Sequence, residues 1–302
     1  MRRDGYSQGG RQRWRCLTCR RRYVTPRPRA CWAHQQIWFR RWLRHGLTID
    51  QLRQHSGLSA WTLRRVIRYW LEHPPGAPGD LSRHRHLVVD GSFVYGRRVG
   101  VVVFIDGITR EVISGCYGLQ EGEAAMIDVC QDLRRRGLEP VSVTLDGNPQ
   151  LAKMLRAVWP EVILQRCLVH VYWQGRRWCR AKPKRPEARE LRQLFSQVLR
   201  VRTTADRDQF IDQWAQWENR YGQQIAGAHK WGWVVSDLRS ARSMLSHALP
   251  DMFHYLDHPA IPTTTNAAEG FFGRLKQNYA RHRGLAAHRR PGYFAWYFHL
   301  CR

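Results

Sequence analysis

The sequence predicts an α/β protein in which a mixed sheet carries a helical insertion and follows a small, basic N-terminal region. Three observations support this. The runs HLVVDGSFVYG, VGVVVFID and EVISGCYG are β-branched and joined by short turns, the pattern of an antiparallel meander. A helical stretch, EGEAAMIDVCQDLRRRG, then leads into another strand, VSVTLD, and strands that alternate with helices imply a mixed sheet. Residues from about 183 to 260 place apolar side chains at helical spacing, as a helical insertion would.

Composition narrows the partners. The chain has 302 residues, 50 Lys+Arg against 24 Asp+Glu, and a formal charge of +26. That excess is far more than solubility requires and points to a polyanion, nucleic acid first. Most of the basic residues are arginine, whose planar fork suits phosphate oxygens and guanine edges. The longest apolar stretch, VGVVVFI, is too short to span a bilayer. The expectation is a cytosolic protein with no membrane partner. Its eight cysteines are thinly spread, which favours reduced thiols or metal ligation over disulfides.

Residues 1–27 are rich in Gly and Arg and contain WRCLTCRRRYV. Cys16 and Cys19 form a C-x-x-C knuckle resembling half of a zinc ribbon, but structural zinc takes four ligands. Cys31 and His34 are the nearest candidates to complete the set, and His34 instead reads as opening a helix.

Residues 28–72 read as helical. Ile37 and Leu43 mark one apolar face, Thr48 and Gln51 form a capping box, Gly57 ends a short helix and Ser59 starts the next. This is a helix-turn-helix pattern. In the last helix Leu63, Val66, Ile67 and Trp70 share the core face, leaving Thr62, Arg64, Arg65 and Arg68 outward to meet a DNA groove. The alternative is a generic basic helical hairpin. The stretch EHPPGAPGDLS then reads as a linker, over residues 73–82, and an α/β region occupies residues 83–302.

Within that region Asp90 interrupts an apolar strand, where a charge is costly unless compensated. Asp106-Gly107 is a turn. Asp146 ends VSVTL, and Asn148 with Pro149 opens the following helix. It therefore lies at a strand's carboxyl end, where α/β sheets gather their chemistry. A late helix offers Glu269, although Asn266-x-x-Glu269 is equally a capping box. That helix predicts a buried face of Ala268, Phe271, Phe272, Leu275 and Tyr279. Three converging carboxylates repel one another unless divalent cations neutralise them. Two Mg²⁺ ions roughly 3.5–4 Å apart would serve in-line attack at a phosphodiester.

The ordered set VVDGSF, TLDGNPQL, QRCLVH and TTNAAEGFFGRLK resembles a DDE transposase of the Mutator-like kind, across nearly the whole chain. The resemblance implies a ribonuclease H-like core, Asp90, Asp146 and Glu269 as catalytic metal ligands for Mg²⁺ or Mn²⁺, and a homo-oligomer assembled on paired double-stranded DNA ends. It also sets Cys167 and His170 as the family's C-x-x-H. Cys167 reads more simply as a buried thiol, and His170 as either a hydrogen-bonded structural group or a positioning residue near the acids. Trp173 and Trp178, among Arg176, Arg177 and Arg180, are candidates for stacking on unpaired bases. Arg274, Lys276, Arg281 and Arg283 are candidate phosphate contacts, or a solvated basic face. Two rivals remain: a catalytically inactive transposase-derived regulator, and a metal-dependent nuclease or resolvase on the same fold.

Overall fold

The computed structural model describes residues 1–25, 30–76, 79–94, 99–120, 124–227 and 232–301, and within these the side chains of all but 30–34 and 232–234. Cys31 and His34 thus lie outside the described side chains. The chain divides into two compact units, Met1–Glu72 and His73–Arg302.

The first unit opens with a three-stranded antiparallel sheet of β1 (Arg2–Tyr6), β2 (Gln12–Arg15) and β3 (Arg22–Val24). Cys16 and Cys19 occupy the turn between β2 and β3. Three helices follow: α1 (Ala30–His45), α2 (Ile49–Ser56) and α3 (Ala60–Glu72). The capping box of α2 forms as the sequence predicts, with Gln51 N–H donating to Thr48 Oγ1 at 3.3 Å and Thr48 N–H donating to Gln51 Oε1 at 2.9 Å. Gly57 ends α2 at φ 67°, a left-handed value that glycine adopts without steric penalty. Ser59 Oγ then accepts from Thr62 N–H at 3.1 Å. Leu63, Val66 and Ile67 are buried, and Trp70 stacks on Phe39. The predicted face of α1 needs correction: Leu43 is buried but Ile37 is 42% exposed, and Phe39 and Trp42 do the packing instead.

The second unit is built on a five-stranded sheet in the order β6-β5-β4-β7-β8. Strands β4 (His86–Val94), β5 (Val99–Asp106) and β6 (Val112–Tyr117) form the antiparallel meander, and β7 (Ser142–Leu145) and β8 (Ile163–Arg166) add to β4 in parallel. The sheet is therefore mixed, as predicted.

Its two faces are covered by different helices. Leu87, Val89, Phe104, Val143 and Leu145 face a core shared with α4 (Met126–Arg135) and α5 (Pro149–Val158). On α4 the buried residues are Met126, Cys130 and Leu133, at i, i+4 and i+7. Ala125, just ahead of the helix, is exposed, and Ile127 and Val129 are only partly buried. Leu81 is also buried in this core, so the predicted linker is docked at its carboxyl end.

The opposite face bears α11 (Asn266–Ala280) and α12 (Arg290–Leu300). The row Asp90–Val103–Gly115 crosses three strands on this side. A Cβ on Gly115 would come within 2.5 Å of the Phe298 ring, which in turn lies 6.2 Å from that of Phe271 on α11.

Between β8 and α11 the chain runs through α6 (Leu168–Trp178), α7 (Pro186–Gln197) and α8 (Thr204–Trp217), then a π-turn at Glu218–Gly222, α9 (Gln223–Gly227) and α10 (Gly232–Ala248). These helices share their own apolar core, which includes Leu191, Phe195, Phe210, Trp214 and Trp217. Trp214 and Trp217 stack at 5.4 Å. Among the described residues no helix is long and apolar enough to cross a membrane.

Candidate active site

Parallel pairing of β4 and β7 runs through His86–Ser142, Leu87–Val143 and Val88–Thr144. Asp90 and Asp146 each lie two residues past the last pair. Side chains two apart on a strand share a face, so both acids leave the same side of adjacent strands at the same level. That side is the α11 face, because Thr144 Oγ1 donates to the carbonyl of Pro262 just ahead of α11.

Asp90 is only 6% exposed and accepts from Gly91 N–H at 2.9 Å. Its carboxyl group is pushed up to about 7, first by burial, then by repulsion from Asp146, with a smaller push from Glu269 and opposition from His170 and the Gly91 amide. Asp146 is half-buried, and its Oδ1 accepts from Asn148 N–H at 3.0 Å. It therefore shapes the turn into α5 as well as facing Asp90. Asp106, by contrast, is the turn residue the sequence predicts. It accepts from Ile108 and Thr109 N–H at 2.8 and 2.7 Å and faces His84 at 2.7 Å.

Glu269 lies in the first turn of α11, whose buried face is the predicted Ala268, Phe271, Phe272, Leu275 and Tyr279. The capping-box alternative is not realised. Thr265, not Asn266, is the cap residue, and no side chain caps it. The Glu269 carboxylate is half-exposed, with His170 Nε2 3.9 Å from its Oε1.

His170 links the glutamate to a buried thiol. Cys167 opens α6, fully buried, and accepts from Thr265 N–H at 3.3 Å and from its hydroxyl at 3.5 Å. Thr265 Oγ1 also meets His170 Nδ1 at 3.3 Å. Burial acts to raise the Cys167 thiol, but hydrogen bonds from His170 and Thr265 outweigh it and lower it overall. His170 is pushed up to about 9 by its bond to Cys167, against burial, with further attraction from Asp90 and Asp146. The C-x-x-H thus joins the start of α6 to the start of α11.

Among the described residues no three His, Cys, Asp or Glu side chains form a group able to hold a metal ion as they stand. The donor chemistry of the acids nonetheless suits a divalent cation: a buried carboxylate raised by a second carboxylate lacks the countercharge such an ion supplies. Asp90 and Asp146 would be the ones to hold such an ion, whereas Glu269 faces His170 at 3.9 Å. At the N-terminal knuckle the Cys16 thiol is pulled down to about 7, mainly by the Cys19 backbone N–H. Two thiols are half of a zinc set, and no third ligand joins them among the described residues.

The basic candidates are spread over both units. In the first, Arg64, Arg65 and Arg68 are exposed, Thr62 is half-buried, and Arg65 lies over the exposed Trp61 ring at 5.4 Å. In the second, Arg274, Lys276, Arg281 and Arg283 are all exposed. Lys276 Nζ donates to Ser92 Oγ at 2.6 Å, two residues beyond Asp90 on β4. Of the candidate stacking tryptophans, Trp173 is 64% exposed, but Trp178 packs partly into the helical core. Arg176 is held by Tyr172 and Ser196, and Arg180 by Asp237.

Two residues escaped the sequence reading. Thr265 holds Cys167 and His170 together, with no signal beyond its place before α11. Arg166 ends β8 opposite Leu145, and its guanidinium presses on Gly147. A Cβ there would fall 0.7 Å from Nη1. Its signal was a basic residue at a strand's carboxyl end, immediately before the C-x-x-H.

Comparison with known proteins places the chain in a family. Residues 86–269 match the family described as Transposase, Mutator family, a span that starts at the first residue of β4 and ends at Glu269. A probable transposase for an insertion sequence element of Corynebacterium diphtheriae is 29% identical over 115 residues, 38% of this chain and 32% of the relative. The transposase for insertion sequence element IS1201 of Lactobacillus helveticus is 27% identical over 173 residues, 56% of this chain and 42% of the relative. A probable ISRM3-like transposase of Sinorhizobium fredii is 28% identical over 109 residues, 35% of this chain and 27% of the relative. The chain spans less than half the length of each. With the matched span covering more than half of this sequence, from β4 to the late-helix glutamate, the chain belongs to the Mutator family of transposases.

Proposed function

We propose that the chain cleaves DNA strands at transposon ends and joins the resulting 3′-hydroxyl to target DNA, with Asp90, Asp146 and Glu269 as its metal ligands. The observation that carries this reading is the adjacency of Asp90 and Asp146, side by side past the paired region of β4 and β7, on the face covered by the helix that bears Glu269. The mixed sheet, with a late helix that bears Glu269, supports a ribonuclease H-like core. Divalent cations, two Mg²⁺ or Mn²⁺, would activate water or a 3′-hydroxyl and stabilise the departing oxygen.

The chain's own residues have separable roles in this scheme. Asp90 and Asp146 hold their carboxylates at one level, Asp146 through its bond to Asn148 N–H. His170, charged below about pH 9 and tied to Thr265, holds Glu269 near the acids until it turns inward. Lys276, anchored on Ser92, and exposed Arg274, Arg281 and Arg283 meet phosphates. In the first unit, the α2–α3 pair acts as a helix-turn-helix in which Thr62, Arg64, Arg65 and Arg68 face DNA. The Cys16–Cys19 knuckle is half of a zinc site, and the working form is a homo-oligomer on paired ends in the cytoplasm.

The test is a reaction with duplex DNA carrying the element's terminal repeats, with Mg²⁺ or Mn²⁺. Nicked and joined products that vanish in Asp90→Asn, Asp146→Asn and Glu269→Gln would bear the proposal out. Binding without nicking would overturn it in favour of a DNA-binding regulator, and nicking without joining in favour of a nuclease.

A further inference from the structure

A cavity of about 830 Å³ lies beside, rather than at, the acids. It opens along the outer edge of β8, the last strand of the sheet, between α5 and α10. Its lining combines two chemistries. Leu164, Trp178 and Met244 supply apolar surface, and Arg156, Arg166 and Arg239 supply guanidinium groups. Asp251, also in the wall, pairs with Arg156 at 3.2 Å. Three guanidinium groups against one carboxylate leave the wall net positive.

Each part suits a nucleotide. The volume falls in the range of sites for drug-sized ligands, guanidinium forks match phosphate oxygens, and an apolar wall with an indole accepts a base or sugar. Arg166 connects the cavity to the acids. Its Nη1 is buried with no hydrogen-bond partner among the described residues, and its guanidinium lies on Gly147, the residue after Asp146. Gly147 holds φ +101° and itself lines the cavity. A molecule bound there is therefore one residue away from the acid that ends β7.

We infer that this cavity takes a single nucleotide of a DNA strand, its phosphate on the guanidinium groups of Arg166 and Arg239 and its base or sugar against Leu164, Trp178 and Met244. The inference rests on the proposed DNA-processing function only for the source of the nucleotide.

Calorimetric titration of the full chain in EDTA tests it, with deoxyadenosine 5′-monophosphate, deoxyadenosine and inorganic phosphate as probes. The monophosphate should bind at least about tenfold more tightly than either of the other two, because charge-assisted bonds and apolar contact act together. Arg239→Gln and Ser243→Trp, the second at an exposed position on the cavity wall, should each weaken it about fivefold or more. A single-stranded oligonucleotide should displace it. Equal binding of monophosphate and nucleoside, or of monophosphate and inorganic phosphate, overturns the inference, as does affinity unchanged in both variants. Monophosphate binding that DNA cannot displace overturns the strand assignment. Without metal no cleavage occurs, so absent nicking leaves this result standing, and absent binding leaves the acid site untouched.

Discussion

Replacing Asp90 with asparagine should make the metal-free protein more stable at neutral and alkaline pH while abolishing strand cleavage. Burial and Asp146 raise the carboxyl group from 3.8 to about 7. At about 1.36 kcal/mol per pH unit this corresponds to roughly 4 kcal/mol of destabilisation when the group is charged. The sign follows from proton binding: between pH 3.8 and about 7 the folded state holds a proton that the unfolded state has lost. Stability therefore falls as pH rises through that window and levels off above it. Asparagine cannot ionise, and its amide oxygen keeps the bond from Gly91 N–H seen at 2.9 Å. Its NH₂ needs a new partner, at a cost of about 1–3 kcal/mol, so the net gain at pH 8 is about 1–3 kcal/mol, with no gain or a loss at pH 4. The robust quantity is the swing of about 4 kcal/mol in the variant-minus-native difference. Urea unfolding in EDTA from pH 4 to 8, followed by tryptophan fluorescence, measures it. Saturating Mg²⁺ should shrink the gain at pH 8, because a cation beside Asp90 removes the same repulsion. Native and variant curves that run parallel across the whole pH range would refute the reasoning.

Other perturbations separate the remaining parts. Gly147→Ala should cost about 2 kcal/mol or more, since φ is +101° and the new methyl would displace the Arg166 guanidinium. Urea unfolding reads this, and a neutral result would show that Arg166 is not confined there. Thr48→Ala removes the cap of α2 and should lower the stability of the Met1–Glu72 unit by about 1 kcal/mol, read as faster hydrogen exchange at the α2 amides. Phe298→Ala empties the contact with Gly115 and Phe271 and should cost about 3–5 kcal/mol. DNA affinity should fall with salt at a slope of roughly −0.9 per phosphate contact, and Arg64→Ala, Arg65→Ala and Arg68→Ala should each reduce that slope by about one if they touch phosphates. An unchanged slope in all three would remove α3 from the DNA interface.

The second unit's framework was legible because local chemistry and tertiary packing agree there. The β-branched runs of β4, β5 and β6 and the Asn148-Pro149 start of α5 have periods and caps that a few residues define. The same holds for the buried stripe of α11, whose five residues repeat at helical spacing. Where the reading slipped, tertiary burial chose between faces that periodicity leaves equivalent. Ile37 is exposed while Phe39 and Trp42 pack.

The candidate site divides along the same line. Sequence by itself determined which acids interrupt apolar strands or open helices, because an ionised group in such a setting demands compensation wherever it lands. Only the tertiary structure decided their company. Parallel pairing of β4 with β7 brings residues 56 positions apart to one level, and the sheet order puts β8, with Arg166, beside Asp146. It also gave Glu269 to His170 rather than to a helix cap. The physical reason is that carboxylates, imidazoles and guanidinium groups act through space over several ångströms, and the distances that set their charge belong to the sheet and its covering helices, not to any contiguous stretch of chain.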